Sequence, residues 1–170
     1  MAGPNAPWHQ KKNHPVRRHF PFVLLFALLG LSALASAPAA ALEFELGAGP
    51  VDEIDGDGTW IATASWLTGQ RHPWELAVGM IGARTQAQGV DTGDVYFVSV
   101  SRRLTWKRWF VQGGIAFTDS DNEVLSNHWQ FRTGLGYDFG RFSLSVAHLS
   151  NANTGGRNRG ETFALLQVAF

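Results

Sequence analysis

Hydrophobic and polar residues alternate along eight short segments between residue 43 and residue 170. The segments are rich in aromatic and β-branched residues and are bounded by Gly, Asp, Asn or Pro, which is typical of β-strands. The predicted strands cover 43–50, 59–68, 74–85, 94–104, 108–118, 128–138, 141–150 and 161–170. An even number of strands, each about 10 residues long, predicts an all-β fold and favours an eight-stranded antiparallel transmembrane β-barrel.

The connections between the predicted strands alternate in length. The connections after the second, fourth and sixth strands are the short sequences GQRHP, TWK and FG. Those after the first, third, fifth and seventh strands are longer and polar: VDEIDGDG, QAQGVDTG, DSDNEVLSN and NANTGGRNRG. This alternation indicates an up-and-down topology with short periplasmic turns and long extracellular loops, both chain termini being periplasmic.

The two faces of each predicted strand differ in chemistry. In the seventh strand Phe142, Leu144 and Val146 share one face, and Ser143 and Ser145 lie on the other. A soluble eight-stranded barrel such as a lipocalin, the alternative fold, fills its interior with apolar side chains. The small and charged face seen here fits a narrow polar lumen, with the large apolar face turned to lipid.

Two further patterns support the membrane barrel. Tryptophans lie near the predicted strand ends, where aromatic girdles meet the membrane interfaces; they are Trp60, Trp66, Trp74, Trp106, Trp109 and Trp129. Arg132 shares the lumen side with Glu75 and Asp138, which predicts an internal ion-pair network in place of a hydrophobic core.

The amino-terminal region has a different composition. Residues 1–19 contain four basic residues and no acidic one, and 20–37 form an uncharged apolar run that ends in small residues. This pattern predicts a secretory signal peptide over 1–41 and a mature barrel domain over 42–170. An uncleaved anchor helix is the alternative, because the apolar run approaches the roughly 20 residues that span a bilayer.

Composition narrows the function classes. The whole chain has 14 basic and 14 acidic residues, but residues 42–170 have 10 and 14, a net charge of −4, which argues against a nucleic-acid partner. The absence of cysteine excludes a thiol nucleophile, a zinc–thiolate site and a disulfide framework. The chain is rich in Trp and Phe, and this excess fits a lipid-facing belt around the barrel.

The seventh predicted strand carries the candidate chemistry. His148 and Ser150 continue the lipid-facing row of that strand toward its extracellular end. Alternate residues of a strand lie roughly 6.5 Å apart on one face, so an imidazole there can accept the proton of a serine hydroxyl. A histidine on a lipid-facing surface costs free energy, and its presence there therefore indicates a function. The structural alternative is a histidine that reaches the interface and a serine that begins a turn.

The segment HLSNANTGGRNRGE, residues 148–161, resembles the signature of the PagL-type lipid A 3-O-deacylases. The resemblance implies that Ser150 is the nucleophile, His148 the general base and Glu161 the acid that orients His148. It also implies that Asn151 and Asn158 support an oxyanion hole. No metal or organic cofactor is implied.

The spacing of Glu161 departs from the family pattern, in which the acid lies about one residue further from the serine. Glu161 also has the parity of Phe163 and Leu165, opposite to the lipid-facing Ala164 and Leu166. A β-bulge near Gly160 would turn Glu161 outward. Without a bulge, the site is a serine–histidine dyad and Glu161 has a structural role.

These observations lead to one hypothesis and two alternatives. The hypothesis is a Gram-negative outer-membrane serine esterase that removes the 3-O-linked acyl chain of lipid A in the extracellular leaflet and releases a 3-hydroxy fatty acid. Its partners would be lipopolysaccharide and outer-membrane lipids, with homodimerisation through a lipid-facing patch left open. One alternative is a non-enzymatic barrel for adhesion or envelope integrity, and the other is a phospholipase or acyltransferase on the same scaffold.

Overall fold

Strands form at all eight segments that the alternating pattern identifies. The computed structural model describes residues 42–52, 57–85, 91–120, 122, 124–154 and 159–170, so the predicted signal peptide lies outside the described residues. Ten strands are present: β1 (Glu43–Val51), β2 (Thr59–Leu67), β3 (Trp74–Ile81), β4 (Arg84–Thr85), β5 (Asp91–Thr92), β6 (Val95–Trp106), β7 (Trp109–Thr118), β8 (Trp129–Asp138), β9 (Phe142–Ser150) and β10 (Glu161–Ala169).

Eight of these strands close into a barrel in the order β1-β10-β9-β8-β7-β6-β3-β2. Every neighbouring pair is antiparallel, and β10 closes the sheet by pairing with β1. Closure leaves the barrel without an edge strand, so its backbone groups are hydrogen-bonded within the sheet. The predicted up-and-down barrel is confirmed.

The predicted third strand, 74–85, is too long. The barrel strand β3 ends at Ile81, and residues 84–85 pair with 91–92 in a separate two-stranded sheet. The Gly82 amide still donates to the Trp60 carbonyl of β2, and the chain leaves the barrel after it, where the Ala83 amide donates to the Asp94 carboxylate, 2.8 Å away. The long connection from β3 to β6 therefore contains its own small hairpin.

The outward-facing side chains form an apolar surface around the barrel. Leu144, Val146 and Leu166 are each more than half exposed on it, as the alternation predicts. Tryptophans lie near the ends of the strands: Trp60 and Trp129 at the end with the long loops, and Trp66, Trp74, Trp106 and Trp109 at the opposite end. Aromatic rings at both rims of an apolar band are characteristic of membrane barrels. Separately, no helix among the described residues is long and apolar enough to cross a membrane.

The half of the lumen nearer the short turns contains a charged network. Glu75 accepts hydrogen bonds from Arg103 at 2.6 Å, and it forms a 2.9 Å ion pair with Arg132. Arg103 also pairs with Glu45 at 2.6 Å, and Gln167 donates to the same Glu45 carboxylate at 2.9 Å. The predicted pairing of Arg132 with Glu75 is therefore present. Asp138, the third predicted member, is instead exposed and accepts a hydrogen bond from the Gly140 amide.

The half of the lumen nearer the long loops contains a large apolar cluster, which the sequence pattern did not predict. A cluster of buried side chains fills it: Val51, Ile61, Ile81, Val95, Phe97, Ala116, Leu125, Ala147, Leu149, Phe163 and Leu165. The ion-pair network therefore supplements a hydrophobic core and does not replace it. Leu125 comes from the long loop between β7 and β8, so this core also anchors a loop on the barrel.

We expect Glu75→Ala to destabilise the barrel, because Arg103 and Arg132 would then be buried without this carboxylate. Removing one partner of a buried ion pair costs about 3–5 kcal/mol. Urea unfolding of the refolded barrel in detergent measures the change. Glu43→Ala removes an exposed carboxylate from the same end and serves as the control. Equal unfolding curves for the two variants would contradict a stabilising role for the network.

Candidate active site

A group of polar side chains interrupts the apolar outer surface of the barrel. Along the described strands, the outward-facing positions carry apolar residues, Tyr or Gly, with few exceptions. One exception is Arg102, whose guanidinium lies over the ring of Trp74, near the short-turn end. The others are Thr133, His148, Ser150 and Thr162, which we call the polar cluster. Polar groups that face lipid are costly, so a contiguous group of them marks a candidate functional site.

Strand pairing brings the polar cluster together. His148 on β9 lies directly opposite Thr133 on β8 and opposite Thr162 on β10. The three side chains therefore form a row across three neighbouring strands. Ser150 lies two residues further along β9, opposite Phe131, at the end with the long loops. The structure thus places His148 and Ser150 on one face of one strand, as the alternation predicts.

The His148 ring is held from two sides. Its Nδ1 atom lies 2.9 Å from the Thr162 hydroxyl oxygen. The ring also packs on the backbone of Gly160, where an added Cβ would lie 2.6 Å from Nε2 and 2.5 Å from Cε1. Continuing the β9–β10 register by one pair places Gly160 opposite Ser150. The Nε2 end of the ring therefore points toward the level of the serine.

The turn after Ser150 has an unusual backbone. Ala152 and Asn153 both adopt left-handed conformations, with φ of 53° and 60°. The Ala152 amide donates a hydrogen bond to the Ser150 hydroxyl oxygen at 3.2 Å. Left-handed backbone is unfavourable for a residue such as alanine, and it tends to occur where function requires a particular geometry. This turn directs a backbone N–H group at the candidate nucleophile.

The Asn151 side chain lies on the inner side of the barrel and stabilises the turn by hydrogen bonds. It is buried, donates to the Ser126 hydroxyl at 3.1 Å and accepts from the Asn153 amide at 2.8 Å. The side-chain amide expected at an oxyanion hole is thus occupied by loop contacts on the opposite face from Ser150. Asn158, the other residue expected there, lies outside the described residues.

The structure does not bring Glu161 to His148. Pairing between β9 and β10 is continuous from Glu161 opposite Leu149 onward, so the bulge that would turn Glu161 outward is not present in this stretch. Glu161 is buried on the lumen side, where both carboxylate oxygens accept hydrogen bonds from Arg84, at 2.6 and 2.7 Å. The expectation that Glu161 contacts His148 fails because its parity directs it inward.

Arg84 and Thr162 are the residues that the sequence analysis missed. Arg84 belongs to the small hairpin, and its guanidinium also donates to the Asp52 carbonyl at 2.8 Å. It thereby links two long connections to the start of β10. Sequence spacing gives no signal for this contact, because Arg84 and Glu161 are 77 residues apart. Thr162 could have been identified from its outward parity beside the serine–histidine pair.

The arrangement has the parts of a nucleophilic hydrolase. A serine hydroxyl becomes a competent nucleophile when a neighbouring imidazole accepts its proton. An amide N–H next to the nucleophile can stabilise the negative charge of a tetrahedral intermediate. Within the described ranges, no group of three or more His, Cys, Asp or Glu side chains is placed to hold a metal ion.

Comparisons with known proteins identify one family. A family model described as lipid A 3-O-deacylase (PagL) matches residues 53–170. A solved structure described as the crystal structure of the outer membrane enzyme PagL is 17% identical in sequence, with a TM-score of 0.48, and the match covers 75% of this chain and 98% of that chain. No curated protein sequence matches the chain.

We expect Gly160→Ala to displace the His148 ring and to strain the start of β10. The added Cβ would collide with the His148 ring and would lie 2.6 Å from the Leu149 carbonyl oxygen, and Gly160 has a φ of 75° that alanine adopts at a cost of about 1–2 kcal/mol. The measurement is the rate at which a fluorophosphonate probe labels Ser150 in the detergent-solubilised barrel. A displaced base should slow labelling roughly 10- to 100-fold.

The matched control for this substitution is Gly140→Ala, because Gly140 also has a positive φ, of 106°, and an added Cβ there would meet open space. Thermal unfolding of both variants shows how much of each is folded at the assay temperature. Labelling of Gly160→Ala at the wild-type rate would show that the close approach of Gly160 to His148 has no effect on the serine.

Proposed function

The chain belongs to the PagL family of lipid A 3-O-deacylases, and we propose that Ser150 and His148 carry out its reaction by a serine esterase mechanism. As a member of that family it is a hydrolase that acts on ester bonds. The proposed reaction removes the acyl chain linked to the 3 position of lipid A and releases it as a 3-hydroxy fatty acid. The polar cluster on the outer surface of β8, β9 and β10 is the observation that carries this proposal.

The position of the cluster fits a substrate embedded in a membrane. Ser150 and His148 lie on the apolar outer surface, directly beyond Val146 and near the long-loop end of the strand. A lipid whose acyl ester lies at the boundary between headgroups and hydrocarbon can meet this site from the side, without entering the barrel. We propose that the barrel sits in the outer membrane with its long loops outside, so that the site faces the extracellular leaflet.

The first half of the proposed reaction forms an acyl-enzyme. The Ser150 oxygen attacks the carbonyl carbon of the ester while His148 Nε2 accepts the serine proton. The Ala152 N–H, which is 3.2 Å from the serine oxygen in the free enzyme, is positioned to donate to the oxyanion. Collapse of the tetrahedral intermediate breaks the bond to the lipid A 3-oxygen, which takes the proton from His148 and leaves as a hydroxyl.

The second half returns the enzyme to its starting state. A water molecule gives a proton to His148 Nε2 and attacks the acyl carbon. The second tetrahedral intermediate breaks its bond to Ser150, whose oxygen recovers the proton from His148. The products are the fatty acid and the free enzyme, and one water is consumed for each acyl chain released.

We expect lipid A from cells that produce the protein to lose one 3-hydroxyacyl chain in mass spectra. Ser150→Ala and His148→Ala should each abolish this loss, because the nucleophile or its base is removed. Ser145→Ala is the matched control: Ser145 lies on the same strand with its side chain in the lumen, where it donates to Gln167 at 3.0 Å. That variant should deacylate lipid A like the wild type.

The outcomes separate the proposal from its alternatives. Unchanged lipid A, with a folded wild-type barrel in the outer membrane, would refute the proposed reaction. Hydrolysis of phospholipids with intact lipid A would indicate a phospholipase. Deacylation that persists in both Ser150→Ala and His148→Ala would support lipid A as the substrate, but it would show that Ser150 and His148 are not the catalytic pair.

We also propose that residues 1–41 are a signal peptide that is removed during export. The apolar run, the preceding basic residues and the small residues at 39–41 support cleavage after Ala41. Intact-mass analysis of the protein purified from outer membranes should then give the mass of residues 42–170. A chain that retains the apolar run would contradict this proposal.

A further inference from the structure

We infer that Thr162 is the positioning residue for His148 in this chain, and that its neutral hydroxyl occupies the place where a serine–histidine triad has a carboxylate. The inference rests on the proposed function, since it assigns His148 the part of the general base. It also assigns Glu161 a different task, which is to anchor the start of β10 through Arg84.

Strand register places Thr162 beside His148. The two residues are directly paired between β10 and β9, and His148 Nδ1 lies 2.9 Å from the Thr162 hydroxyl oxygen. Thr162 therefore lies beside Nδ1, where the acid of a serine–histidine triad would lie, with a hydroxyl in place of a carboxylate.

Parity excludes Glu161 from the same place. Adjacent residues of a strand point to opposite faces, so Thr162 faces outward and Glu161 faces the lumen. Sliding β10 by one residue would turn Glu161 outward, but it would also expose Phe163 and Leu165, which belong to the buried core. Glu161 is held inward by two short hydrogen bonds from Arg84, and the side chains of this ion pair are 4% and 2% exposed.

The Thr162 hydroxyl can set the tautomer of His148. When Nδ1 carries the proton and donates it to the Thr162 oxygen, Nε2 is left with a lone pair that can accept the serine proton. A hydroxyl supplies this orientation but does not supply the negative charge with which a carboxylate stabilises an imidazolium. Thr162 therefore acts through geometry and tautomer, and charge compensation of the imidazolium is not part of its role.

Three variants of the full-length barrel test this inference with lipid A in detergent micelles. Thr162→Val keeps the shape of the side chain and removes the hydroxyl, and it should lower kcat roughly 10- to 100-fold with little change in KM. Thr162→Ser restores a hydroxyl and should recover most of the lost rate. Glu161→Gln should lower the unfolding temperature, because it weakens the pair with Arg84, and should affect kcat less than Thr162→Val does.

The tautomer itself can be observed by nitrogen NMR of protein labelled at histidine. The His148 signals are those absent from His148→Ala. In the wild type we expect Nδ1 to carry the proton and Nε2 to be unprotonated at pH 8, and in Thr162→Val we expect a mixture of tautomers. A change that is only structural would alter the unfolding temperature without altering this distribution.

Several results would overturn the inference. One is a wild-type ring protonated at Nε2, in which the threonine hydroxyl donates to Nδ1. Another is a Thr162→Val variant with wild-type kcat, and a third is a Glu161→Gln variant with the larger loss of kcat. Failure of the proposed function is distinguishable from these, because an inactive wild type would still report the His148 tautomer and its dependence on Thr162.

Discussion

Backbone hydrogen bonding within a closed sheet is the constraint from which the rest of this structure follows. Hydrocarbon offers no partner to an N–H or C=O group, so a strand that crosses a membrane must be paired on both sides. The barrel meets this requirement when β10 pairs with β1. Because successive side chains of a paired strand point to opposite faces, each strand residue faces either the lipid or the lumen. The polar cluster is an exception on the outer surface: its residues keep the outward orientation that the alternation requires, but they are polar where their neighbours are apolar.

The lumen shows how a narrow barrel can be filled by two kinds of interaction. Near the short turns, Glu45, Glu75, Arg103 and Arg132 neutralise one another in ion pairs of 2.6–2.9 Å. Near the long loops, an apolar cluster takes over, and it includes Phe163 and Leu165 of β10. This cluster lies behind the candidate site, because it holds the inward face of β10 next to Thr162. The proposed catalytic side chains therefore lie on the outer face of the part of the barrel wall that this cluster lines from inside.

The features that depend only on the alternation of hydrophobic and polar residues could be predicted from the sequence. Strand positions, the outward row that ends in His148 and Ser150, and the pairing of Arg132 with Glu75 were all predicted from parity. The sequence was insufficient where two distant segments meet. The contact between Arg84 and Glu161 joins residues that are 77 positions apart. Arg84 lies in the small hairpin, whose first strand the sequence pattern had assigned to the end of the third barrel strand. The apolar cluster near the long loops was also not predicted. The inward-facing residues include small, apolar and charged ones, and the sequence does not show that the apolar ones gather at one end of the lumen.

The pairing of His148 with Thr162 bears on how such sites change during evolution. Ser150 and β10 are joined by a connection, residues 151–160, and connections gain and lose residues more readily than paired strands. A spacing counted through this connection is therefore a weak guide to the third partner of the site, whereas the strand register is a strong one. A relative with a connection of another length can keep the same geometry if the residue opposite its histidine is suitable. In this chain the partner of His148 is thus identified by cross-strand pairing and not by motif length.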